Sequence, residues 1–350
     1  MRLLKIAHIE LPNEIDFSVI LRAFAASSVV VWHAHGWNQA WPDVFNVPGR
    51  VGVWVFFAIS GYVISYGFLH GRYRFEFPDV LNFYRNRALR ILPLFYVITA
   101  VSIVTLLLRG ESIPIEWTQI PAQFFALQWT QEFVLNGVFW TLGIELQFYA
   151  LAPLMAWALR HPERRSLIYG IILWVMAWVW PFVAWNCFGT SLDNRTTLGN
   201  LQHFLTGMLV CRAALDSDVR KLLAKPQSAL ILTASGLALI CVTNLLYHNA
   251  PGVFWRLCGA LGADLAVSSL LLAHCAISQT SSSQPGRVTQ ALMAIGVLSY
   301  GLYAWHGYLL NYFPVMQKQL IALFLASLTL AYFSYILVER PALELRRLKR

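Results

Sequence analysis

The sequence predicts an all-α integral membrane protein, a bundle of about ten transmembrane helices with both termini in the cytoplasm. Three observations predict this fold class. Of the 350 residues, 58% are hydrophobic and only 12% are charged, whereas soluble domains carry about a quarter charged residues. The apolar residues form runs long enough to cross a bilayer, which takes about 20 residues. The basic residues collect in alternate connections between these runs.

Ten runs have this length or nearly so, and each is expected to form one transmembrane helix. They cover residues 16–36, 51–70, 88–108, 138–159, 166–186, 198–215, 227–247, 253–276, 291–312 and 319–338. The longest outer connection, residues 109–137, is expected to be a partly helical loop at the membrane interface. No internal repeat or linker divides the chain, so a single domain over residues 1–350 without an appended soluble domain is expected.

The lysine and arginine residues orient the predicted helices. With the N-terminus placed inside, 20 of the 26 basic residues fall in inner segments, five fall in outer segments, and Arg22 lies within the first helix. This bias follows the positive-inside rule. The formal charge of +9 therefore indicates membrane topology and does not predict a nucleic-acid partner. The five cysteines lie in or beside apolar runs without metal-ligand spacing, so no metal site is expected.

Ionisable residues inside the predicted spans are costly, at roughly 2.5–3.5 kcal/mol each, and are therefore candidates for function. They are Arg22, His33, Glu145, His203, Asp264 and His306. Arg22 and His33 share the first helix, eleven residues apart, which is about 16 Å along its axis. Each has an ordinary alternative role, because Arg22 can extend towards the inner head groups and His33 can be a satisfied interfacial histidine.

His33, Glu145 and His306 are predicted to lie at one depth, within roughly 5–10 Å of the outer boundary. Three titratable side chains at one level predict a polar cavity open to the outside, in which a carboxylate orients an imidazole. Three unrelated polar anchors would produce the same pattern. Asp264, near a helix midpoint, is expected to pair with a basic or hydroxyl partner inside the bundle, and His203 is a weaker candidate.

A cluster of arginines precedes the third predicted span. The segment FYRNRALRILP places Arg85, Arg87 and Arg90 where this helix enters the membrane. One possible role of these arginines is to keep the preceding loop on the inner side of the membrane through their positive charge. An anion site is the other, because guanidinium groups suit phosphate and Arg87 and Arg90 share one helix face.

Six segments, spread over nearly the whole chain, share a pattern with one known protein family. In chain order they are RAFAASSVVVWH at 22–33, RVGVWVFFAISGYVIS at 50–65, FYRNRALRILP at 83–93, WTLGIELQFYALAP at 140–153, LSYGLYAWH at 298–306 and ERP at 339–341. Together they resemble the membrane-bound acyltransferase 3 family, which O-acylates cell-surface polysaccharides and related glycans. One position departs from the family pattern, since Val19 stands where members often carry an acidic residue, and the nearest acid is Asp16.

The resemblance implies an enzyme of the bacterial cytoplasmic (inner) membrane that spans it many times. It implies acyl-CoA, usually acetyl-CoA, as the donor and a hydroxyl of a cell-surface glycan or lipid-linked sugar as the acceptor. Carried over by motif, His33 is the catalytic histidine, which either deprotonates the acceptor or carries the acyl group transiently. Arg22, Arg87 and Arg90 are the arginines that serve donor binding or catalysis.

Two further roles are inferred from position alone. Glu145 is expected to orient His33 as a second catalytic residue, and His306 is expected to hold the acceptor. A transporter or flippase for a lipid-linked saccharide is the main alternative function, although no pseudo-repeat of the kind common in transporters is evident. A non-catalytic membrane scaffold or sensor is a third interpretation.

Overall fold

The computed structural model describes residues 3–6, 9–35, 47–125, 133–161, 163–189, 195–249, 252, 255–280 and 284–346. Its N-terminal part contains a short antiparallel pair of strands, β1 (Leu3–Ile6) and β2 (Ile9–Pro12), with Ile6 opposite Ile9. Everything that follows in the described residues is helix, turn or loop. The prediction of a helical membrane bundle is confirmed. The sequence did not predict the strand pair, because segments of four residues are too short to reveal an alternating pattern.

Eleven helices of at least eleven residues form the bundle in the described part of the chain. They are α1 (Phe17–His35), α2 (Gly49–Leu69), α3 (Phe77–Leu108), α4 (Trp140–Ala158), α5 (Arg164–Phe188), α6 (Thr197–Ala213), α7 (Ser228–Asn249), α8 (Ala260–Thr280), α9 (Arg287–Val297), α10 (Ser299–Tyr312) and α11 (Leu320–Ser334). Shorter helical turns lie at Trp117–Gln119, Ile120–Phe125, Gly137–Phe139, Ser217–Leu223, Trp255–Gly259, Pro314–Lys318, Tyr335–Glu339 and Arg340–Glu344.

The ten predicted spans are all helical, but fewer helices have the length and composition of a membrane span. Among the described residues there are eight, or nine if α9 and α10, which meet at a 60° bend, form one span. The predicted span 198–215 corresponds to α6, which has only 17 residues. The predicted outer connection 109–137 contains two short helical turns, and its residues 126–132 lie outside the described part. The cytoplasmic location of both termini stays a prediction.

Helix α2 occupies the centre of the bundle and α7 its periphery. In the most apolar stretch of α2, 78% of the residues are buried. In that of α7 only 11% are buried, and α7 presents apolar side chains to its surroundings. The backbones of α2 and α6 touch where two glycines meet. A Cβ atom on Gly61 would lie 2.0 Å from the carbonyl oxygen of Phe204, and one on Gly207 would lie 1.7 Å from that of Ala58. Small residues allow such close approach between membrane helices, and they bring α2 against α6.

The bundle has two distinct ends. Helices α1 and α3 end, and α2 and α4 begin, at what we call the outer end, following the predicted orientation. The opposite or inner end carries the first residues of α1, the arginines of α3 and the chain after α11. The main apolar core, with Phe57, Phe95, Phe148 and Phe204, fills the space between these ends.

Candidate active site

The outer half of the bundle brings together two histidines that are far apart in sequence. His33 lies near the end of α1, and His306 lies in the middle of α10. The Nδ1 atom of His33 is 3.0 Å from the Nε2 atom of His306, within hydrogen-bond distance. The rings stack with 5.2 Å between their centroids and 19° between their planes. His306 is fully enclosed and His33 is partly exposed, so the pair joins the protein interior to an accessible surface.

The contact between the two rings limits how their protons can be arranged. In a neutral pair, one of the two facing nitrogens, Nδ1 of His33 or Nε2 of His306, carries the shared proton and the other accepts it. The Nδ1 atom of His306 is buried and has no hydrogen-bond partner among the described residues. If His33 donates from Nδ1, its Nε2 atom keeps a lone pair, which is the tautomer that a general base requires.

A cavity of about 630 Å³ lies at the outer end beside His33. Aromatic side chains form much of its wall, namely Trp32, Trp140, Tyr247, Trp255 and Tyr303. Polar side chains complete it, namely Arg50, Arg195, Asn311 and Gln317. An apolar pocket with a few convergent polar groups is the usual form of a small-molecule site. Of the three residues predicted to share a polar cavity, His33 lies in the wall of this one, whereas His306 lies behind His33 and Glu145 is not among the described lining residues.

The segment that begins α4 is fastened to α10 next to the histidine pair. Tyr303 donates a hydrogen bond of 2.8 Å to the carbonyl oxygen of Val138, and its hydroxyl accepts one of 2.9 Å from Thr141. Asn136 donates to the carbonyl oxygen of Ala304 at 3.0 Å. The ring of Tyr303 also packs against His306 with 5.4 Å between centroids. These contacts hold the His306 ring in place, because α10 cannot turn without breaking them.

Glu145 lies on α4 between the two ends of the bundle, and its described hydrogen bonds do not go to His33. Its carboxylate accepts a hydrogen bond of 2.5 Å from Ser60 of α2 and a second from Tyr149, one turn further along α4. The ring of Tyr149 in turn lies 5.8 Å from the guanidinium carbon of Arg87. Glu145 therefore belongs to a polar track that leads from α2 towards the arginines of α3. The structure places His306, and not Glu145, beside the His33 ring.

Four arginines from three parts of the chain converge at the inner end, and we call them the arginine cluster. They are Arg22 of α1, Arg87 and Arg90 of α3, and Arg346 beyond α11. Arg90 forms an ion pair of 3.2 Å with Glu339, whose carboxylate is buried. Within the described part of the chain, the buried Nε atoms of Arg87 and Arg346 have no hydrogen-bond partner. Glu339 and Asp16, the acids near these groups, leave the cluster with an excess of positive charge that suits a multiply charged anion.

Arg346 is the member of the cluster that the sequence patterns did not predict. Burial, together with the charges of Arg90 and Arg87, lowers the pKa of Arg346 to about 9. The residue stands seven positions after Glu339 of the ERP segment, which is about two helical turns and therefore nearly the same face. That spacing is the signal in the sequence that could have identified it.

Two helices give the separation between the arginine cluster and the cavity. On α1, Arg22 and His33 are eleven residues apart, which is about 16 Å along the axis. On α4, Trp140 lines the cavity and Tyr149 lies beside Arg87, and their nine-residue separation corresponds to about 14 Å. Both helices therefore connect the same two sites over the same distance.

His203 and Asp264 form a separate pair in the interior. The Nδ1 atom of His203 is 2.8 Å from the carboxylate of Asp264, and both side chains are 1% exposed. The ring of Trp54 stacks on His203 with 5.0 Å between centroids. The expectation that Asp264 pairs with a basic partner is confirmed. The pair links α6 to α8, and neither of its members has a described contact with His33 or with the arginine cluster. Among the described residues, no three His, Cys, Asp or Glu side chains form a group that could hold a metal ion.

One known protein family has a sequence pattern that matches this chain. A family model described as an acyltransferase domain matches residues 15–339, which contain the histidine pair and all but one member of the arginine cluster. The chain belongs to the acyltransferase 3 family. It contains an acyltransferase domain of this family, and its apolar helices make it a multi-pass membrane protein.

Named relatives agree with the family assignment. The O-acetyltransferase OatA of Staphylococcus aureus is 26% identical over 351 residues, which cover 92% of this chain and 56% of that protein. The putative membrane-bound transacylase BcsY of Komagataeibacter xylinus is 26% identical over 355 residues, which cover 93% of this chain and 82% of the relative. The chain spans a little over half the length of OatA. No solved structure matches this acyltransferase 3 chain.

Proposed function

We propose that this protein is a membrane-bound O-acyltransferase that moves an acetyl group from acetyl-CoA to a hydroxyl of a glycan or lipid-linked sugar. The observation that carries the proposal is that His33, which lies in the wall of a cavity of about 630 Å³, pairs with His306 behind it. The name of OatA, an O-acetyltransferase at 26% identity, supports the acetyl group and the oxygen acceptor. The polar and aromatic lining of the cavity supports a sugar, since aromatic rings suit the apolar faces of sugar rings.

The arginine cluster is proposed to hold the phosphates of coenzyme A at the inner, cytoplasmic end. Guanidinium groups bind phosphate with several aligned N–H donors, and the buried Nε atoms of Arg87 and Arg346, which have no hydrogen-bond partner among the described residues, suit this purpose. The pantetheine arm would then follow the polar track past Tyr149 and Glu145. The separation of about 14–16 Å between the cluster and the cavity is on the scale of that arm.

The histidine pair is proposed to manage the proton of the transfer. His306 accepts the Nδ1–H of His33, so the Nε2 atom of His33 takes the proton of the acceptor hydroxyl. The acceptor oxygen attacks the thioester carbonyl, the carbon–sulfur bond breaks, and the imidazolium returns the proton to the thiolate of coenzyme A. The same lone pair would serve if the acetyl group first bonded to His33, in which case a second displacement delivers it to the acceptor.

The test is acetyl transfer by the full chain in reconstituted membranes with radiolabelled acetyl-CoA. His33→Ala should reduce label in the glycan fraction by at least about a hundredfold, because general-base catalysis contributes about 10²–10⁴. His161→Ala is the matched control, since that histidine is exposed in an inner loop. Wild-type labelling by His33→Ala protein at normal abundance would refute the catalytic role. Rapid quenching of the reaction near neutral pH, followed by mass spectrometry of the protein for an acetyl group on His33, distinguishes the two sequences of steps.

A further inference from the structure

The buried pair of His203 and Asp264 lies behind the wall of the cavity at the outer end. The His203 ring stacks on the ring of Trp54 with 24° between their planes, and Trp54 in turn packs against Trp255 with 5.3 Å between ring centroids. Trp255 lines the cavity, whereas His203 and Asp264 are not among its described lining residues. The pair is therefore connected to the cavity wall through two tryptophan side chains.

The aromatic contacts continue along the cavity wall to the helix that carries His33. Tyr247 packs edge-on against both Trp255 and Trp32, with 5.3 Å and 5.2 Å between ring centroids. Tyr247 and Trp32 line the cavity, and Trp32 immediately precedes His33 in α1. We call Trp54, Trp255, Tyr247 and Trp32 the aromatic row. The row joins the buried pair to the part of the cavity next to His33.

Hydrogen bonds fix the plane of the His203 ring. Its Nδ1 atom lies 2.8 Å from the carboxylate of Asp264, and its Nε2 atom lies 3.3 Å from the amide nitrogen of Gln202. That amide also donates to the carbonyl oxygen of Gly199 at 3.0 Å, which fixes its own orientation. Because both nitrogens of the imidazole are engaged, the ring cannot rotate without losing these contacts. A fixed imidazole plane in turn favours one orientation of the Trp54 ring stacked on it.

Stability alone does not explain a polar pair at this place. The side chains of His203 and Asp264 are each 1% exposed, and apolar residues of similar volume often replace a buried ion pair without loss of stability. Hydrogen bonds add direction, which apolar packing lacks. Rigid support behind the residues that touch a ligand raises its affinity, because less ordering is left to occur on binding.

We propose that His203 and Asp264 are positioning residues for the acceptor, which hold the aromatic row in the orientation that binds the face of a sugar ring beside His33. This proposal rests on the proposed function, because it concerns the acceptor of the same reaction. Neither residue has a described contact with His33 or with the arginine cluster. Loss of the pair should therefore weaken binding of the acceptor, with little effect on kcat or on binding of acetyl-CoA.

The experiment uses the labelling assay with the full chain in reconstituted membranes, at increasing concentrations of the extracted glycan fraction and, separately, of acetyl-CoA. Asp264→Leu should raise the apparent KM for the glycan by at least about fivefold, with kcat and the KM for acetyl-CoA within about twofold of wild type. Asp264→Asn should remain close to wild type, because its amide oxygen can accept the Nδ1–H of His203.

Two further variants test the route from the pair to the cavity. His203→Leu combined with Asp264→Leu leaves no buried charge unpaired, so it tests the proposal even if Asp264→Leu alone fails to fold, and it should raise the same KM by at least about fivefold. Trp54→Leu should reproduce this rise. Adding Asp264→Leu to Trp54→Leu should raise the KM no further, because both changes break one chain of contacts.

Thr206→Val is the matched control. Thr206 lies three residues after His203 in α6 and accepts a hydrogen bond of 2.7 Å from Trp174, and neither residue is among those described as lining the cavity. Its loss should lower the melting temperature and leave the KM for the glycan unchanged.

Two results would overturn the assignment of His203 and Asp264. One is an equal rise of the KM for the glycan in Thr206→Val, which would mean that any loosening of α6 has this effect. The other is an unchanged KM in the double variant while label transfer still requires His33, which would refute this inference alone. Absence of label transfer by the wild-type chain would instead refute the proposed function.

Discussion

The Nδ1 atom of His33 lies 3.0 Å from the Nε2 atom of His306, across a sequence separation of 273 residues. A partner on Nδ1 leaves Nε2 as the reactive nitrogen of His33, as in other sites where a second group orients a histidine. The partner here is a neutral, fully buried imidazole instead of a carboxylate. It can orient the ring without placing a negative charge in the apolar interior, where an unpaired charge would be costly.

Replacement of His306 tests this orienting role. His306→Ala should lower kcat for acetyl transfer by about 10²-fold or more, because the His33 ring loses the group that sets its tautomer. His306→Gln should retain more activity, since its amide oxygen can accept the Nδ1–H. The KM for acetyl-CoA should stay within about twofold in both variants. Full activity in His306→Ala protein, measured by steady-state kinetics in reconstituted membranes, would contradict the pairing as a functional feature.

Replacement of Arg346 tests the arginine cluster. Burial and the neighbouring guanidinium charges lower the pKa of Arg346 to about 9, so its charged form is disfavoured in the folded protein without a ligand. Arg346→Gln should therefore leave the melting temperature of the ligand-free protein unchanged or raise it. The same variant should weaken binding of coenzyme A by about tenfold, because a phosphate contact is lost.

The same pKa shift predicts how stability depends on pH. A basic group with a lowered pKa in the folded state destabilises that state while it is charged, and the penalty declines as pH rises through about 9. The difference in stability between Arg346→Gln and wild type should therefore shrink above pH 9. Arg164→Gln is a suitable control, since Arg164 is exposed and pairs with exposed Asp218. A lower melting temperature for Arg346→Gln at neutral pH, with unchanged binding of coenzyme A, would contradict the role of the cluster.

Combined replacement of Glu145 and His306 tests whether Glu145 acts through the histidine. Its carboxylate contacts Ser60 and Tyr149, so Glu145→Gln and His306→Gln should have additive effects on the logarithm of kcat/KM. Residues that share one interaction network show coupling of about 0.5–3 kcal/mol, whereas independent sites add to within about 0.5 kcal/mol. Strong coupling in the double-mutant cycle would contradict this expectation and would support the role predicted from the sequence, in which Glu145 orients His33.

Replacement of Gly207 tests the close contact between α2 and α6. Gly207→Leu should greatly reduce the amount of folded protein, because even a Cβ atom would lie 1.7 Å from the carbonyl oxygen of Ala58. Gly286→Ala is the control, since no atom lies within 4 Å of the added carbon. Size-exclusion profiles in detergent and thermal unfolding measure the outcome. A Gly207→Leu protein with wild-type melting behaviour would show that these helices can separate.

The helical part of the fold follows from the sequence because the membrane imposes a local rule. A segment in lipid must satisfy its backbone hydrogen bonds internally and must be about 20 apolar residues long. Both conditions can be read from a single run of residues, and α1, α2 and α4 match their predicted spans to within two residues. Helix α3 starts eleven residues before its predicted span, because its first turns are polar and do not resemble a membrane segment.

The sequence also singled out most of the residues of the candidate site, because ionisable groups inside spans are rare and expensive. Position along the sequence did not identify the partner of His33, for which Glu145 was expected and His306 is observed. Glu145 and His306 lie at similar predicted depths, and depth along a helix axis does not show which helices are neighbours. Arg346 escaped notice for a related reason, since it lies outside the apolar runs and joins the cluster only when the chain after α11 folds against α3.

By itself the sequence determined that the chain crosses the membrane many times and where its helices lie, and it singled out the motif residues that we propose carry the chemistry. These features depend on composition and on spacing within one helix. Only the tertiary structure decided that His33 pairs with His306, that Arg346 joins Arg22, Arg87 and Arg90, and that Glu145 bonds to Ser60 and Tyr149. The physical reason is that lipid is as apolar as the helix surfaces, so neighbours are chosen by close packing and polar contacts between distant segments. No local pattern records that choice.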